Sequence, residues 1–324
     1  MQVHRALDQL PAFVGAVVTI GTFDGVHKGH QEIIASMKEA AAETGGETVI
    51  LTFHPHPRQI VRASGEPMAL LTTLDEKIAL LDAQGIDHLV VIPFTKEFSQ
   101  LSAEDYIQQF LVRYFHPHTI IIGYDHRFGN NRSGDFRLLE AQGPVYGFQV
   151  REIPERVLDL LKVSSTRIRE ALLSGQPSLA ADLLGYRYFF EGLVVQGQQL
   201  GRTLGFPTAN LAVEDEEKLI PVNGVYAVRV DLNAGAKAKA DLNAGAGDTR
   251  TVNGMMNIGV RPTVGGLGRV IEVHLLDYKG DLYGQTLRVH LEAYLRPEQK
   301  FNGLDALKTQ LEHDRVNAIN ILEP

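Results

Sequence analysis

Apolar and polar positions alternate in two different ways along the chain, and one pattern gives way to the other near Tyr186. From Ala16 to about Gly123, short β-branched apolar runs alternate with segments whose apolar residues recur at helical spacing. In chain order the predicted elements are a strand at 16–20, a helix after residue 30, a strand at 47–53, a helix at 74–84, a strand at 88–92, a helix at 103–114 and a strand at 119–122. This order is typical of a parallel sheet with crossover helices, in which ligands bind at the carboxyl ends of the strands.

From Tyr186 onward, valine-rich segments alternate with period two and are separated by glycine-bearing turns. Several such segments predict an antiparallel β-barrel. The final stretch, Leu304–Leu322, predicts an amphipathic helix that covers the barrel. We therefore expect two domains, residues 1–185 and 186–324, with a boundary near Gly185.

The largest group of candidate ligand-binding residues lies in the decapeptide GTFDGVHKGH at Gly21–His30, between the first predicted strand and the first predicted helix. Glycines let backbone approach a ligand closely, and a helix N-terminus presents unpaired N–H groups to an anion. His27 and His30 are three residues apart, so both imidazoles can face one phosphate. One histidine as a helix cap and Asp24 as a turn residue would be the simpler interpretation. The complete set of residues favours a nucleotide-phosphate site, without the spacing of a Walker A loop or of GxGxxG.

Two strand-end segments follow in the same half. The turn FHPHPR at Phe53–Arg58 is predicted to be extended by its two prolines. The loop GYDHRFGNNRSGD at Gly123–Asp135 offers an aromatic ring for stacking and a guanidinium for phosphate.

The segment VSSTRIRE at Val163–Glu170 is predicted to open a helix through Leu173, with Ser164 or Ser165 as its N-cap. Arg167 lies at the positive end of that helix, which is unfavourable for a cation unless an anion binds there. The segment therefore predicts a second phosphate contact.

The predicted barrel opens with a glycine-rich connection that ends in GRTLGFPTAN at Gly201–Asn210. A flexible barrel rim would explain the glycines, but the Thr208 hydroxyl and the Asn210 amide oxygen are hard oxygen ligands suited to Mg²⁺. Farther on, Glu272 alternates with apolar neighbours and faces away from them. A solvated surface residue is the simple interpretation of such a glutamate.

Composition and charge narrow the class of protein. The 324 residues are 44% hydrophobic and carry a formal net charge of −8, which argues against a nucleic-acid or anionic-membrane partner. There are no cysteines, so disulfides, thiolate metal sites and a thiol nucleophile are excluded. No apolar stretch is long enough to span a bilayer, and we expect a cytoplasmic protein.

These motifs together resemble those of the bacterial bifunctional riboflavin kinase/FAD synthetases over nearly the whole chain. GTFDGVHKGH resembles the HxGH signature of the nucleotidylyltransferase superfamily, and SSTRIR resembles its second signature, ISSTxxR. The loop at Gly123–Asp135 is similar to the family segment GxDFRFGxxxxGD, with His126 in place of the usual phenylalanine. GRTLGFPTAN resembles the riboflavin kinase signature, and GVY at 224–226, NIGVRPT at 257–263 and EVHL at 272–275 match later family segments in order.

The resemblance implies a Rossmann-like HxGH nucleotidylyltransferase domain followed by an antiparallel β-barrel riboflavin kinase domain with a terminal helix. It implies an enzyme that phosphorylates riboflavin to FMN with ATP and then adenylylates FMN to FAD, releasing pyrophosphate. The implied ligands are riboflavin, FMN, FAD and ATP, with Mg²⁺ as cofactor.

The resemblance also assigns roles to matching positions. Glu272 would be the general base for the ribityl hydroxyl, while His27, His30 and Arg167 would stabilise charge during adenylyl transfer. Thr208 and Asn210 would hold Mg²⁺. The positions assigned to ATP and flavin binding are Gly21, Phe23, Asp24, Gly29, Asp125, Arg127, Phe128, Ser164, Ser165, Thr166, Gly197, Gly201, Arg202, Gly205, Pro207, Asn257 and Arg261.

Two alternatives remain: a monofunctional enzyme whose other half is a flavin-binding module, and a flavin carrier without turnover. Catalytic-type residues in both halves count against each. One feature departs from the family: Asp231–Ala236 recurs as Asp241–Ala246, and we interpret this tandem duplication as an idle insertion.

Overall fold

The computed structural model describes residues 1–61, 68–153, 163–197, 200–232, 250–263 and 266–323. It divides into two compact units, Met1–Ser165 and Thr166–Pro324. The domain boundary near Gly185 stays a prediction. Most of the tandem duplication falls at 233–249 and lies outside the described residues.

A six-stranded sheet forms the centre of the first unit. Its order is β1-β4-β3-β2-β5-β6, and each neighbouring pair is parallel. The strands are β1 Gln2–His4, β2 Val17–Ile20, β3 Thr48–His54, β4 His88–Pro93, β5 Thr119–Gly123 and β6 Gln149–Ile153. The predicted parallel sheet is therefore confirmed. The strand order reverses direction between β2 and β5, and ligands bind such sheets outside the carboxyl ends of the strands at this point.

Helices flank the sheet. They are α1 Lys28–Thr44, α2 Pro57–Val61, α3 Leu74–Asp82, α4 Lys96–Ser99, α5 Ala103–Asp105, α6 Arg113–Phe115 and α7 Phe136–Tyr146. A π-helical segment, Tyr106–Val112, joins α5 to α6, so the helix predicted at 103–114 is continuous but partly underwound. The extended turn predicted at Phe53–Arg58 is wrong at its end, because Pro57 begins α2, a position where its missing N–H costs nothing.

Both faces of the sheet are buried. Val18 and Ile20 of β2 belong to one apolar cluster and Val17 belongs to another. Strands covered on both faces read as continuous apolar runs, which is why β2 was recognisable in the sequence. The edge strand β6 escaped prediction because its sequence, QVREI, is mostly exposed and polar.

The second unit contains a closed antiparallel barrel with the strand order β10-β11-β8-β7-β12-β9. The strands are β7 Phe189–Val195, β8 Ala209–Ala212, β9 Gly224–Asp231, β10 Thr251–Thr263, β11 Gly266–Leu275 and β12 Thr286–Arg296. Helix α8, Ser165–Leu173, begins at the last residue of the first unit. The helices that follow are α9 Pro177–Leu184, α10 Leu200–Thr203 and α11 Leu304–Leu322. Barrel and terminal helix are thus confirmed.

Helix α11 packs on the outside of the barrel. Ala318 and Leu322 of the helix join an apolar cluster with Ala227 and Met255 of the barrel strands. An ion pair also holds the helix: the Arg296 guanidinium donates to both carboxylate oxygens of Asp314, with Nε to Oδ1 at 2.9 Å and Nη2 to Oδ2 at 2.7 Å. Asp314 is 1% exposed, so this pair is buried at the helix–barrel interface.

Removing one member of that pair should loosen α11. Asp314→Ala leaves the guanidinium without its carboxylate, and breaking a buried pair in this way destabilises by about 3 to 5 kcal/mol. We expect the free energy of unfolding of the barrel unit, measured by urea titration, to fall by that amount. The matched control is Glu312→Ala, an exposed carboxylate of the same helix, for which the change should stay within about 0.5 kcal/mol. Equal effects of the two substitutions would contradict the assignment.

Two candidate ligand sites

The first candidate site is the turn between β2 and α1, which is the HxGH decapeptide. His27 is the N-cap of α1, and its Nδ1 accepts a hydrogen bond from the His30 N–H at 3.4 Å. The two imidazoles stack with ring centroids 3.7 Å apart and an interplanar angle of 14°. The structure thus brings the two predicted histidines together, and one of them also caps the helix.

The surroundings of His30 keep its imidazole neutral. Phe23 is 1% exposed, and its ring lies 4.8 Å from that of His30. Gly29 is buried in the first turn of α1, and Gly21 lies above the Phe23 ring. The His30 Nδ1 is sealed from solvent and has no hydrogen-bond partner among the described residues. Burial, and secondarily His27 and Lys77, hold the pKa of His30 well below 6.5.

Asp24 performs a structural task inside this turn. Its side chain is 1% exposed, and its Oδ1 accepts the N–H groups of Leu71 at 2.9 Å and Thr72 at 3.2 Å. The Thr72 hydroxyl in turn accepts the Gly25 N–H at 3.2 Å. These bonds fasten the HxGH turn to the residues just before α3, so Asp24 satisfies amides that lie outside its own turn. A direct ligand contact for Asp24 stays a prediction.

Lys77 is a functional candidate that sequence analysis missed. It lies on α3, is 7% exposed, and burial lowers its pKa to about 8 although the neighbouring Asp24 carboxylate opposes that shift. It occupies the apolar stripe of α3 between Leu74 and Leu81, and a lysine at a core position of an amphipathic helix was the available signal.

The second superfamily signature meets the first at Ser165. Helix α8 begins there, and the Ser165 hydroxyl donates to the Asp24 carbonyl at 3.0 Å. Ser164 precedes the helix, and Thr166 and Arg167 follow Ser165 within it. Thr166 and Arg167 lie beyond the division between the two units, and phosphate contacts for these residues stay predictions.

The loop after β5 begins beside the HxGH turn, because β5 pairs in parallel with β2 and the two strands end at the same side of the sheet. Phe128 is 6% exposed and packs against Tyr106 at 5.0 Å, so this ring mainly supports the loop from within the core. His126 lies 6.0 Å from Phe128, and burial lowers its pKa to about 4. Asp125 and Arg127 are exposed at the surface of the loop.

The second candidate site lies on the outer face of the barrel, under α11. Strand pairing places Asn257 of β10 opposite Glu272 of β11, and Glu272 opposite Asn210 of β8. These three side chains therefore form a row across three strands. The neighbours of Glu272, Ile271 and Val273, are buried in the barrel, which confirms the predicted alternation.

A cavity of about 240 Å³ opens beside this row. Four of the predicted binding or catalytic residues line it, namely Gly201, Thr208, Asn257 and Glu272. Its other walls come from residues to which the sequence assigned no individual role: Leu204, Phe206, Val225, Met255, Met256, His274, Arg296, Glu298, Gln299, Phe301, Leu307, Leu311 and Asp314. Leu204, Phe206, Val225 and His274 lie within the motifs quoted above. No local motif marks the others, because they meet only when the barrel closes and α11 packs on it.

Glycines shape the segment that leads into β8. A Cβ on Gly197 would lie 2.1 Å from the Asn210 Nδ2, and one on Gly201 would lie 2.3 Å from the Phe206 carbonyl oxygen. Both distances are too short for any residue with a Cβ, so glycine is required at both positions by the protein's own side chain and main chain. Ligand contacts of Gly197 and Gly201 stay predictions.

The remaining predicted residues of this segment are also placed. Gly205 has a φ of 86°, a conformation that favours glycine. Arg202 is exposed, and the Pro207 carbonyl contacts the His274 ring. The side chain of Arg261 lies outside the described residues.

Two further observations bear on ligands and environment. Within the described ranges, no three His, Asp or Glu side chains are arranged to hold a metal ion by themselves. Among the helices of the described chain, none is long and apolar enough to cross a membrane.

Comparison with family models matches each half of the chain separately. The model for FAD synthetase matches residues 11–167, and the model for riboflavin kinase matches residues 184–322.

Relatives match the two halves in one chain. A bifunctional riboflavin kinase/FMN adenylyltransferase of Escherichia coli (strain K12) is 38% identical over 94% of this chain and 92% of its own length. The relative with the same name from Pseudomonas fluorescens is 39% identical over 100% of this chain and 99% of its own, and that of Bacillus subtilis (strain 168) is 34% identical over 94% and 92%. Similarity therefore spans both units.

A solved structure is similar over nearly the whole chain. A Streptococcus pneumoniae crystal structure, described as a macrolide-efflux protein, superimposes with a TM-score of 0.84 at 28% identity, covering 98% of both chains. The fold is thus one that a single polypeptide of this length adopts elsewhere.

Proposed function

Because the chain belongs to the bifunctional riboflavin kinase/FMN adenylyltransferase family, we propose that its barrel phosphorylates riboflavin and its parallel-sheet unit adenylylates the resulting FMN, both with ATP. The observation that carries the proposal is the position of Glu272, a carboxylate in register with Asn210 and Asn257 at the edge of a cavity. A general base needs such a position beside a pocket that can hold the hydroxyl to be deprotonated.

In the kinase reaction, Glu272 accepts the proton of the ribityl 5′-hydroxyl as that oxygen attacks the γ-phosphorus of ATP, and ADP leaves. The apolar walls contributed by Met255, Leu307 and Leu311 suit a flat flavin ring, while the polar row faces the ribityl chain. Phosphoryl transfer of this kind depends on positioning and on charge stabilisation rather than on covalent catalysis.

The Thr208 hydroxyl and the Asn210 amide oxygen are ligands that suit a magnesium ion bound together with ATP. Mg²⁺ is bound in proteins through few protein oxygens together with substrate phosphates and water, which agrees with a site that lacks a full set of charged ligands. Gly197 leaves the space that the Asn210 amide occupies. When bound, the ion would neutralise phosphate charge.

In the adenylyl-transfer reaction, a phosphate oxygen of FMN attacks the α-phosphorus of ATP, and pyrophosphate leaves. The attacking phosphate is already anionic, so no general base is required. His27 and His30 donate hydrogen bonds to phosphate oxygens from the N-terminus of α1, whose N–H groups and dipole favour negative charge. The Ser165 hydroxyl, at the last residue of the same unit, donates to the Asp24 carbonyl of that turn.

A time course of flavin species tests the proposal directly. The purified protein is incubated with riboflavin, ATP and Mg²⁺, and flavins are separated by chromatography. We expect FMN to appear first and then to be replaced by FAD, with neither formed when ATP is omitted. Accumulation of FMN alone would contradict the adenylylation assignment, and unchanged riboflavin that co-elutes with the protein would indicate a carrier.

A further inference from the structure

His274 lines the cavity beside Glu272, and the proposed kinase reaction gives it no task. It is two residues beyond Glu272 on β11, on the same outward face, and it lines the cavity. In the strand pairing it stands opposite Met255 of β10. A histidine that only filled space between apolar side chains would not need a defined polar contact.

His274 does make one. Its Nδ1 lies 2.8 Å from the carbonyl oxygen of Pro207. Because a carbonyl oxygen can only accept, Nδ1 carries the proton and donates, which fixes the tautomer and the orientation of the ring. The ring also meets Phe206 edge-on, with centroids 5.3 Å apart.

This hydrogen bond holds Pro207, which is next to the predicted magnesium ligand Thr208 in the chain. Pro207 has no N–H, so its carbonyl is the only polar backbone group that it offers, and Thr208 follows it. On the other side, the Phe206 N–H donates to the Gly201 carbonyl at 2.9 Å. The segment Phe206–Thr208 is thus held between the backbone of Gly201 and the His274 ring.

We propose that His274 is a positioning residue of the kinase site, which holds the Thr208 hydroxyl in place through the Pro207 carbonyl. One strand, β11, then carries both the base and the support of the segment that contacts the metal–nucleotide, so the two parts of the site are fixed relative to each other. The inference rests on the proposed kinase function of the barrel.

Two substitutions separate the hydrogen bond from ring packing. His274→Phe keeps an aromatic ring but has no N–H, whereas the side-chain amide of His274→Asn places a donor at the same number of bonds from the backbone as Nδ1. His274→Gln is a polar substitution whose donor lies one bond too far, and it serves if the phenylalanine variant folds poorly. His290→Phe is the matched control, since His290 is a half-buried barrel histidine that contacts Asp231 at 2.9 Å outside the cavity.

The decisive measurement is binding of Mn²⁺ with ADP, followed by electron paramagnetic resonance and calorimetry, because it needs no turnover. Loss of a supporting contact to a metal ligand typically weakens metal affinity by about 10 to 100-fold. We expect His274→Phe and His274→Gln to weaken Mn²⁺–ADP binding by about tenfold and to raise the Mg²⁺ concentration for half-maximal kinase rate in parallel. His274→Asn and His290→Phe should stay within about threefold of the original protein.

Unchanged Mn²⁺–ADP binding in His274→Phe, or a loss in His274→Asn as large as in His274→Phe, would overturn the proposal. An original protein that binds Mn²⁺–ADP but does not phosphorylate riboflavin would instead overturn the function proposed for the barrel, while the comparison among the variants would still decide the role of His274.

Discussion

Replacing Glu272 with glutamine is expected to lower the rate of FMN formation from riboflavin by about 10² to 10⁴-fold, the usual contribution of a general base. The amide keeps the size of the side chain but cannot accept the hydroxyl proton. Adenylylation of supplied FMN should keep its original rate, since it is assigned to the other unit. Both rates are measured on one preparation by separating the flavin products.

The control for this substitution is Glu191→Gln. Glu191 is a half-buried barrel carboxylate that accepts from Arg288 at 2.6 Å and does not line the cavity. Its replacement should leave the kinase rate within about threefold, because it changes one ion pair whose members do not line the cavity. If Glu272→Gln retained the original kinase rate, the base assignment would be wrong.

Replacing His30 with alanine is expected to have the opposite selectivity. Removing a preorganised donor to a developing negative charge costs about 10² to 10³-fold in rate, so FAD formation from FMN should fall by that factor. Burial holds the pKa of His30 well below 6.5, and a neutral imidazole has one N–H to donate, which alanine cannot replace. Riboflavin phosphorylation in the same sample should be unaffected.

A histidine at the amino-terminal ends of the strands provides the comparison. His118 precedes β5, and its ring contacts the Thr119 hydroxyl at 2.9 Å, at the end of the strand away from the carboxyl edge. His118→Ala should leave FAD formation within about threefold. Equal losses in the two variants would indicate a general effect on the sheet, and loss of kinase activity in His30→Ala would contradict the assignment of the two reactions to separate sites.

The sequence predicted best what local patterns encode. The strand β2 and the helix α11 were recognisable because a buried parallel strand is apolar throughout and an amphipathic helix has a regular stripe. Glu272 was placed on the correct face by alternation alone. The short edge strands β1 and β6 were missed, since three to five mixed residues leave no periodic signal.

Partners that are distant in sequence could not be predicted. Asp24 meets Leu71 and Thr72 across 47 and 48 residues, and nothing near Asp24 in the chain specifies those amides. Likewise, Arg296 and Asp314 form their pair only after α11 has packed on the barrel. Local patterns therefore located strands, helices and candidate residues, while the contacts that support those residues depended on tertiary packing.

The hydrogen bonds of Asp24 set a condition for anyone who wishes to transplant the HxGH turn into another parallel sheet. The decapeptide alone would carry a buried carboxylate whose amide partners stay behind, and an unsatisfied buried charge would drive the graft to rearrange. The smallest portable unit is thus discontinuous: the turn with the first turns of α1, together with Leu71 to Lys77. A designer who copies both pieces would transfer the geometry of the histidine pair. The decapeptide alone would transfer its sequence without the contacts that fix that geometry.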